Sequence, residues 1–147
     1  MKRHPSLAHL SRDHHGALIL ARLLQKNAPA YKGLPTDLAG KAEYAFKFYT
    51  DELVTHFAQE EKAFALVKGI SEKVDQLLQT IIEEHRMLHQ SFNAIKKQEA
   101  SAEHLDELGK LLEVHVRKEE REFFPLIEQT CNEDLLKAIE QSLLSHE

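Results

Sequence analysis

The chain has 147 residues, 42% of them apolar, enough for one core of ordinary domain size. A net charge of −5, with Lys and Arg spread along the whole length, leaves no basic stripe and argues against a nucleic-acid partner. No apolar run approaches the ~18 residues of a membrane span, no apolar segment follows Met1-Lys2-Arg3-His4-Pro5, and the lone Cys131 cannot close an internal disulfide, so a cytoplasmic protein without membrane contact is expected.

Pro5-Ser6 opens a helical pattern that runs to about Asn27. Ala28 to Pro35, with Pro29 and Gly33, is the longest loop. Thr36-Asp37 supplies an N-cap for a second helix to about Lys68, where Gly69 stops it. Ser71 caps a third helix to about Gln98, and Ser101 caps a fourth to about Phe124, which Pro125 is expected to end or kink. Asn132-Glu133-Asp134 opens a short fifth helix to about Ser145. No strand-like alternation occurs. The expected fold is all-α: an antiparallel up-down-up-down four-helix bundle over about 6–127, within one domain of residues 1–147, plus a short terminal helix over about 132–145.

Ten histidines are the compositional anomaly, and no run of them exceeds two residues, so they belong to the fold and not to a tag. Each long helix carries one at the centre of its apolar stripe. The stripes read Leu7, Leu10, His14, Ala17, Leu18, Ala21, Leu24; then Leu38, Ala45, Tyr49, Leu53, His56, Glu60, Ala63, Val67; then Val74, Leu78, Ile81, Ile82, His85, Leu88, His89, Phe92; then Leu108, Leu111, Leu112, His115, Glu119, Phe123. His56 with Glu60, His85 with His89, and His115 with Glu119 are i,i+4 pairs, whose side chains can meet at one centre. A glutamate inside an apolar stripe is expensive unless its charge is compensated, and a cation is the economical compensation where histidines converge. Counted from shared loops, His14, His56, His85 and His115 each lie about 12 or 13 residues away, so an antiparallel arrangement puts all four in one layer roughly 20 Å from the loops.

HxxxEE[KR]xF also occurs twice, as His56 to Phe64 and His115 to Phe123, with a weaker echo in Asp13-His14 and Glu84-His85. Two related hairpins closing on a shared centre would produce that repeat. Glu61 and Glu120 are expected as solvated partners of Lys62 and Arg121, and Tyr49 and Glu52 as side chains placed to orient His56 or to pack.

Over residues 6 to 127 these motifs resemble the hemerythrin-like family of HHE cation-binding domains: one His on the first helix, HxxxE on the second, HxxxH on the third, and His with a following carboxylate on the fourth. The resemblance implies metal ligation by His14, His56, Glu60, His85, His89, His115 and Glu119. It also implies two non-haem iron ions, oxo- or hydroxo-bridged and joined by the two carboxylates. His15 is the alternative to His14, turned 100° away from the stripe. Glu120 is the alternative to Glu119, and would need a local bulge in the helix. Zinc or another divalent metal also suits these donors but favours four-coordinate sites. A ferritin-like site needs Glu-x-x-His, which this chain lacks.

Seven donors and one bridging oxygen leave a single open position on a pair of six-coordinate irons, and two if His89 is not a ligand. One open position suits a small diatomic such as O2 or NO. The expectation is a non-catalytic protein that binds or senses such a molecule, and the alternative is a di-iron enzyme handling NO, peroxide or Fe(II) oxidation.

Overall fold

The computed structural model describes residues 2–96 and 100–144. Among them there is no strand. The helices are α1 (Pro5–Leu23), α2 (Leu38–Phe48), α3 (Val54–Phe64), α4 (Glu72–Lys96), α5 (Ala102–Lys118), α6 (Phe124–Thr130) and α7 (Glu133–Leu144). A π-helical turn, Tyr49–Leu53, joins α2 to α3, and a second, Glu119–Phe123, joins α5 to α6. A short 3-10 turn, Ala65–Val67, ends the rod that α3 belongs to. Among the described residues the result is five continuous helical rods. The expected ends at Gln98 and Ser145 lie outside the described residues.

Local chemistry sets most of the boundaries. Asp37 accepts from Gly40 N–H at 3.1 Å, Ser71 from Val74 N–H at 3.1 Å, Ser101 from His104 N–H at 3.0 Å and Asn132 from Leu135 N–H at 2.9 Å. Each bond satisfies an amide that the first helical turn leaves without a partner. Gly69 takes a φ of +87° behind the second rod, a conformation other residues resist. The first helix stops at Leu23 and not at Asn27. The Lys26 amide, which a longer helix would use internally, donates instead to Asp106 at 2.9 Å.

Pro125 does not end the fourth rod, and the π turn before it is the reason. The Phe124 N–H reaches back five residues to the Glu119 carbonyl. In that wider register the next amide would serve the Glu120 carbonyl, and Pro125 has none to give. Arg3 Nη2 donates to that carbonyl at 3.0 Å, so the gap in the ladder is filled from the other end of the chain.

Side chains bury in two apolar clusters. One contains Ala17, Leu20 and Leu24 with Ala45, Leu53, Leu88, Phe92, Leu108 and Leu112. The other contains Leu7 and Leu10 with Phe64, Val74, Ile81, Phe123 and Ile127, and α7 closes it with Leu136, Ile139 and Leu143. Between them lies a layer of buried histidines and glutamates. Among the described residues no helix is long and apolar enough to cross a membrane.

The α1–α5 interface is close. A Cβ at Gly109 would stand 2.4 Å from the Ala21 carbonyl oxygen, and backbone cannot swing aside as a side-chain tip can. Gly109→Ala is therefore expected to cost about 1–3 kcal/mol despite the better helix propensity of alanine. Denaturant unfolding measures this, and a variant as stable as the parent would show that the two helices are not packed this tightly.

Candidate metal centre

Six side chains from four rods meet in the polar layer. His14 comes from α1, His56 and Glu60 from α3, His85 from α4, His115 from α5, and Glu119 from the π turn that follows. None is more than 4% exposed. They form two groups, His14–His56–Glu60–Glu119 and Glu60–His85–His115–Glu119, each offering four donor atoms within 4.8 Å of one another. The two glutamates belong to both groups.

The histidines are oriented from behind. His14 Nδ1 lies 2.6 Å from Glu120, His56 Nδ1 3.0 Å from Asp13, His85 Nδ1 2.7 Å from Glu61, and His115 Nδ1 2.8 Å from Glu84. A carboxylate only accepts, so each Nδ1 carries the proton, and a neutral ring then turns a bare Nε2 lone pair inward. The pattern has two-fold character. Asp13 and Glu84 each hold the histidine of the other rod in their own hairpin, whereas Glu61 and Glu120 each hold a histidine of the opposite hairpin. Ser11 bonds Glu120 at 2.7 Å, Arg3 pairs with it at 3.2 Å, and Lys118 pairs with Glu84.

Inside this ring of acceptors, polar atoms lack proton donors. Glu60 Oε2, His115 Nε2 and both Glu119 oxygens are buried without hydrogen bonds. Glu119 Oε1 does come within 2.9 Å of His14 Nε2, but without hydrogen-bond alignment. The Nε2 atoms of His14 and His56 face each other at 3.2 Å. Lone pairs so placed repel unless a cation or protons stand among them, so the donors fit metal ions.

Without a metal ion, protons take that place. Burial opposes a charged imidazole, yet Glu119 and Glu120 push His14 up to about 12, Glu60 and Asp13 push His56 up to about 9, and Glu60 and Glu61 push His85 up to about 10. Burial would raise Glu60, but the charge of His56 holds it well below the usual carboxylate range. Glu119 is pushed up by burial and by the charge of Glu60 beside it.

His89 stands apart from the other expected donors. Its Nδ1 accepts from the Tyr49 hydroxyl at 2.5 Å. The Phe57 ring lies between: its centroid is 4.4 Å from that of His85, stacked, and 5.4 Å from that of His89, edge-on. His15 is exposed on α1, whereas His14 is inside. The bulge considered for Glu120 does exist, but it leaves Glu119 in both donor groups and Glu120 behind His14. Glu61 and Glu120 are thus histidine partners, not solvated partners of Lys62 and Arg121. Asp13 orients His56, the role considered for Tyr49 and the exposed Glu52. The repeated EE dipeptide and the acid-His echo were the available signals. What they lacked was the cross-rod pairing.

All-helical rods enclosing two histidine–carboxylate groups of this kind define a cation-binding helical protein. The Hemerythrin HHE cation binding domain model matches residues 6–127, most of the chain, and the chain belongs to that family. No curated protein and no solved structure matches it.

Two outcomes follow from the site. Asp13→Asn and Glu120→Gln should each weaken metal binding by about 10- to 100-fold while leaving the donors in place; metal-competition titration measures this, and unchanged affinity in both would remove the orienting role. The raised histidine values stabilise the metal-free fold fully below about pH 6.5, and that contribution is lost as pH rises through about 9 to about 12. Zn(II) added to metal-free protein at neutral pH should accordingly expel protons. An indicator dye in weak buffer reads the release, and none at full occupancy would contradict the protonated cluster.

Proposed function

We propose that this chain is a non-haem di-iron protein that binds or senses O2, or a related small redox-active molecule such as NO, at its buried histidine–carboxylate site. The observation that carries this reading is the pair of donor groups sharing Glu60 and Glu119. A shared pair of carboxylates suits two neighbouring ions, and mixed imidazole and carboxylate donors suit iron. Zinc remains a competitor in loading, although four-coordinate preference fits a doubly shared site less well. Iron in this place would supply electron exchange with a small molecule at its open coordination positions.

The frame proposed for the site is an antiparallel up-down-up-down four-helix bundle in a single domain, with α7 as the short fifth helix closing one end. Support comes from the order of the apolar clusters. The first and third rods pass from the Leu7–Phe64–Phe123 cluster to the Leu20–Phe92–Leu112 cluster, and the second and fourth pass back. We place the protein in the cytoplasm, with neither a nucleic-acid nor a membrane partner.

The residues around the site suit a small, uncharged ligand. Leu53, Phe57, Phe92 and Leu112 are each at most 3% exposed and keep water from one side of the donors, with the partly buried Leu18 packed against them. His14, His56, His85, His115, Glu60 and Glu119 would hold two iron ions. Six donors for two six-coordinate ions would leave positions open to a small molecule. His89 standing outside both groups favours a second reading, a di-iron enzyme acting on NO, peroxide or Fe(II).

Anaerobic Fe(II) loading followed by O2, watched in the visible range, separates the readings. A charge-transfer band that forms with O2 and bleaches on deoxygenation supports binding or sensing. Repeated consumption of oxidant marks an enzyme. A chain that takes up no iron in either oxidation state overturns both. His56→Ala and Glu60→Ala should lose iron and the metal-dependent rise in melting temperature together, since binding to the native state stabilises it.

A further inference from the structure

Tyr49 and His89 form a polar pair beside the cluster that neither donor group uses. The Tyr49 side chain is 5% exposed, stacked on Phe92 at 4.7 Å and 5°, and its hydroxyl donates to His89 Nδ1 at 2.5 Å. Asn93 Nδ2 approaches the same oxygen at 3.4 Å and is anchored on the His89 carbonyl at 2.9 Å, so the phenol is fixed on two sides. His89 itself is half-buried, giving a proton a way to solvent. Tyr49 also opens the first π turn, where its carbonyl takes the Val54 N–H. Single π turns of this kind often mark functional positions.

One ring connects the pair to the donors. Phe57 meets His89 edge-on at 5.4 Å, lies over His85 at 4.4 Å, and meets His115 edge-on at 5.9 Å. With Phe57 in that space His89 stands outside both donor groups, yet the phenol stays within one side chain of two donor histidines.

The geometry points to Tyr49 and His89 as a proton-coupled electron donor to the metal centre across Phe57, with His89 serving as proton acceptor and not as a ligand. This inference rests on the di-iron reading. In the step, the Tyr49 O–H bond breaks and its proton passes to the lone pair of His89 Nδ1. One electron crosses Phe57 to an iron centre oxidised by hydrogen peroxide, which is reduced by that one electron. The products on the chain are a neutral phenoxyl radical at Tyr49 and an imidazolium at His89; one electron from a thiol in solution, with the imidazolium proton, then restores the phenol and leaves the iron reduced. The pair thereby discharges an over-oxidised centre without damage to its ligands.

The experiment mixes iron-loaded full-length protein with hydrogen peroxide, freezes it rapidly and records electron paramagnetic resonance, with iron content and oxidation followed on the same samples. A tyrosyl signal is expected in the parent chain and in Tyr44→Phe, and it is lost in Tyr49→Phe. His89→Gln should keep its iron and lose radical yield. In zinc-loaded protein, the ¹⁵N resonances of His89 should show a hydrogen-bonded ring free of metal. The inference is overturned by a metal-shifted His89 nitrogen, by iron loss in His89→Gln, by a radical that survives Tyr49→Phe, or by no radical in a parent chain whose iron is oxidised. That last result leaves the di-iron reading standing, whereas a chain that binds no iron removes both.

Discussion

Two carboxylates face one another in a dry interior, and the rest of the structure answers to them. Glu60 and Glu119 are 0% exposed, and neither has a cationic side chain of Lys or Arg beside it among the described residues. Uncompensated carboxylates in such a place would cost several kcal/mol each. Four imidazoles surround them instead, and four further carboxylates at the rim keep those imidazoles turned inward. The polar layer is thus organised from the inside out: acid, then base, then acid.

The two halves of the site obey one plan. His14 and His56 sit edge-to-face with ring centroids 5.0 Å apart, and His85 and His115 repeat this at 4.8 Å. The equivalence breaks in the surroundings. Phe57 stacks on His85, while Phe124 stacks on His14 at 5.6 Å from across the layer. Glu120 is tied to Ser11 and Arg3, whereas Glu61 is 43% exposed. The two donor groups, built on one plan, therefore differ in what packs behind them and in how exposed that backing is.

Helix positions and inward stripes were legible in the sequence because period and caps are local properties. His14, His56, Glu60, His85, His115 and Glu119 could be placed together by counting from loops, and the structure does gather those six. His89 shows where spacing runs out. An i,i+4 step from His85 brings it near the layer, but Phe57, from another rod, fills the intervening space. The outer carboxylates were hidden for a similar reason, since each serves a histidine on a different rod. The π turns had a faint signature: Glu119, Phe123, Ile127 and Cys131 are all buried at steps of four, which a regular α-helix would rotate off the core. An extra residue in one turn restores the alignment and carries the rod through Pro125.

That same turn binds the beginning of the chain to its far side. Arg3 reaches the Glu120 carbonyl and the Glu128 carboxylate, closing loops of 117 and 125 residues, while its guanidinium lies 5.5 Å over the Phe124 ring that covers His14. Closures of this length, like that of His4 on Glu133, are among the longest in the fold and carry a correspondingly large chain-entropy cost. The wall behind His14 is completed only when the fourth rod has docked.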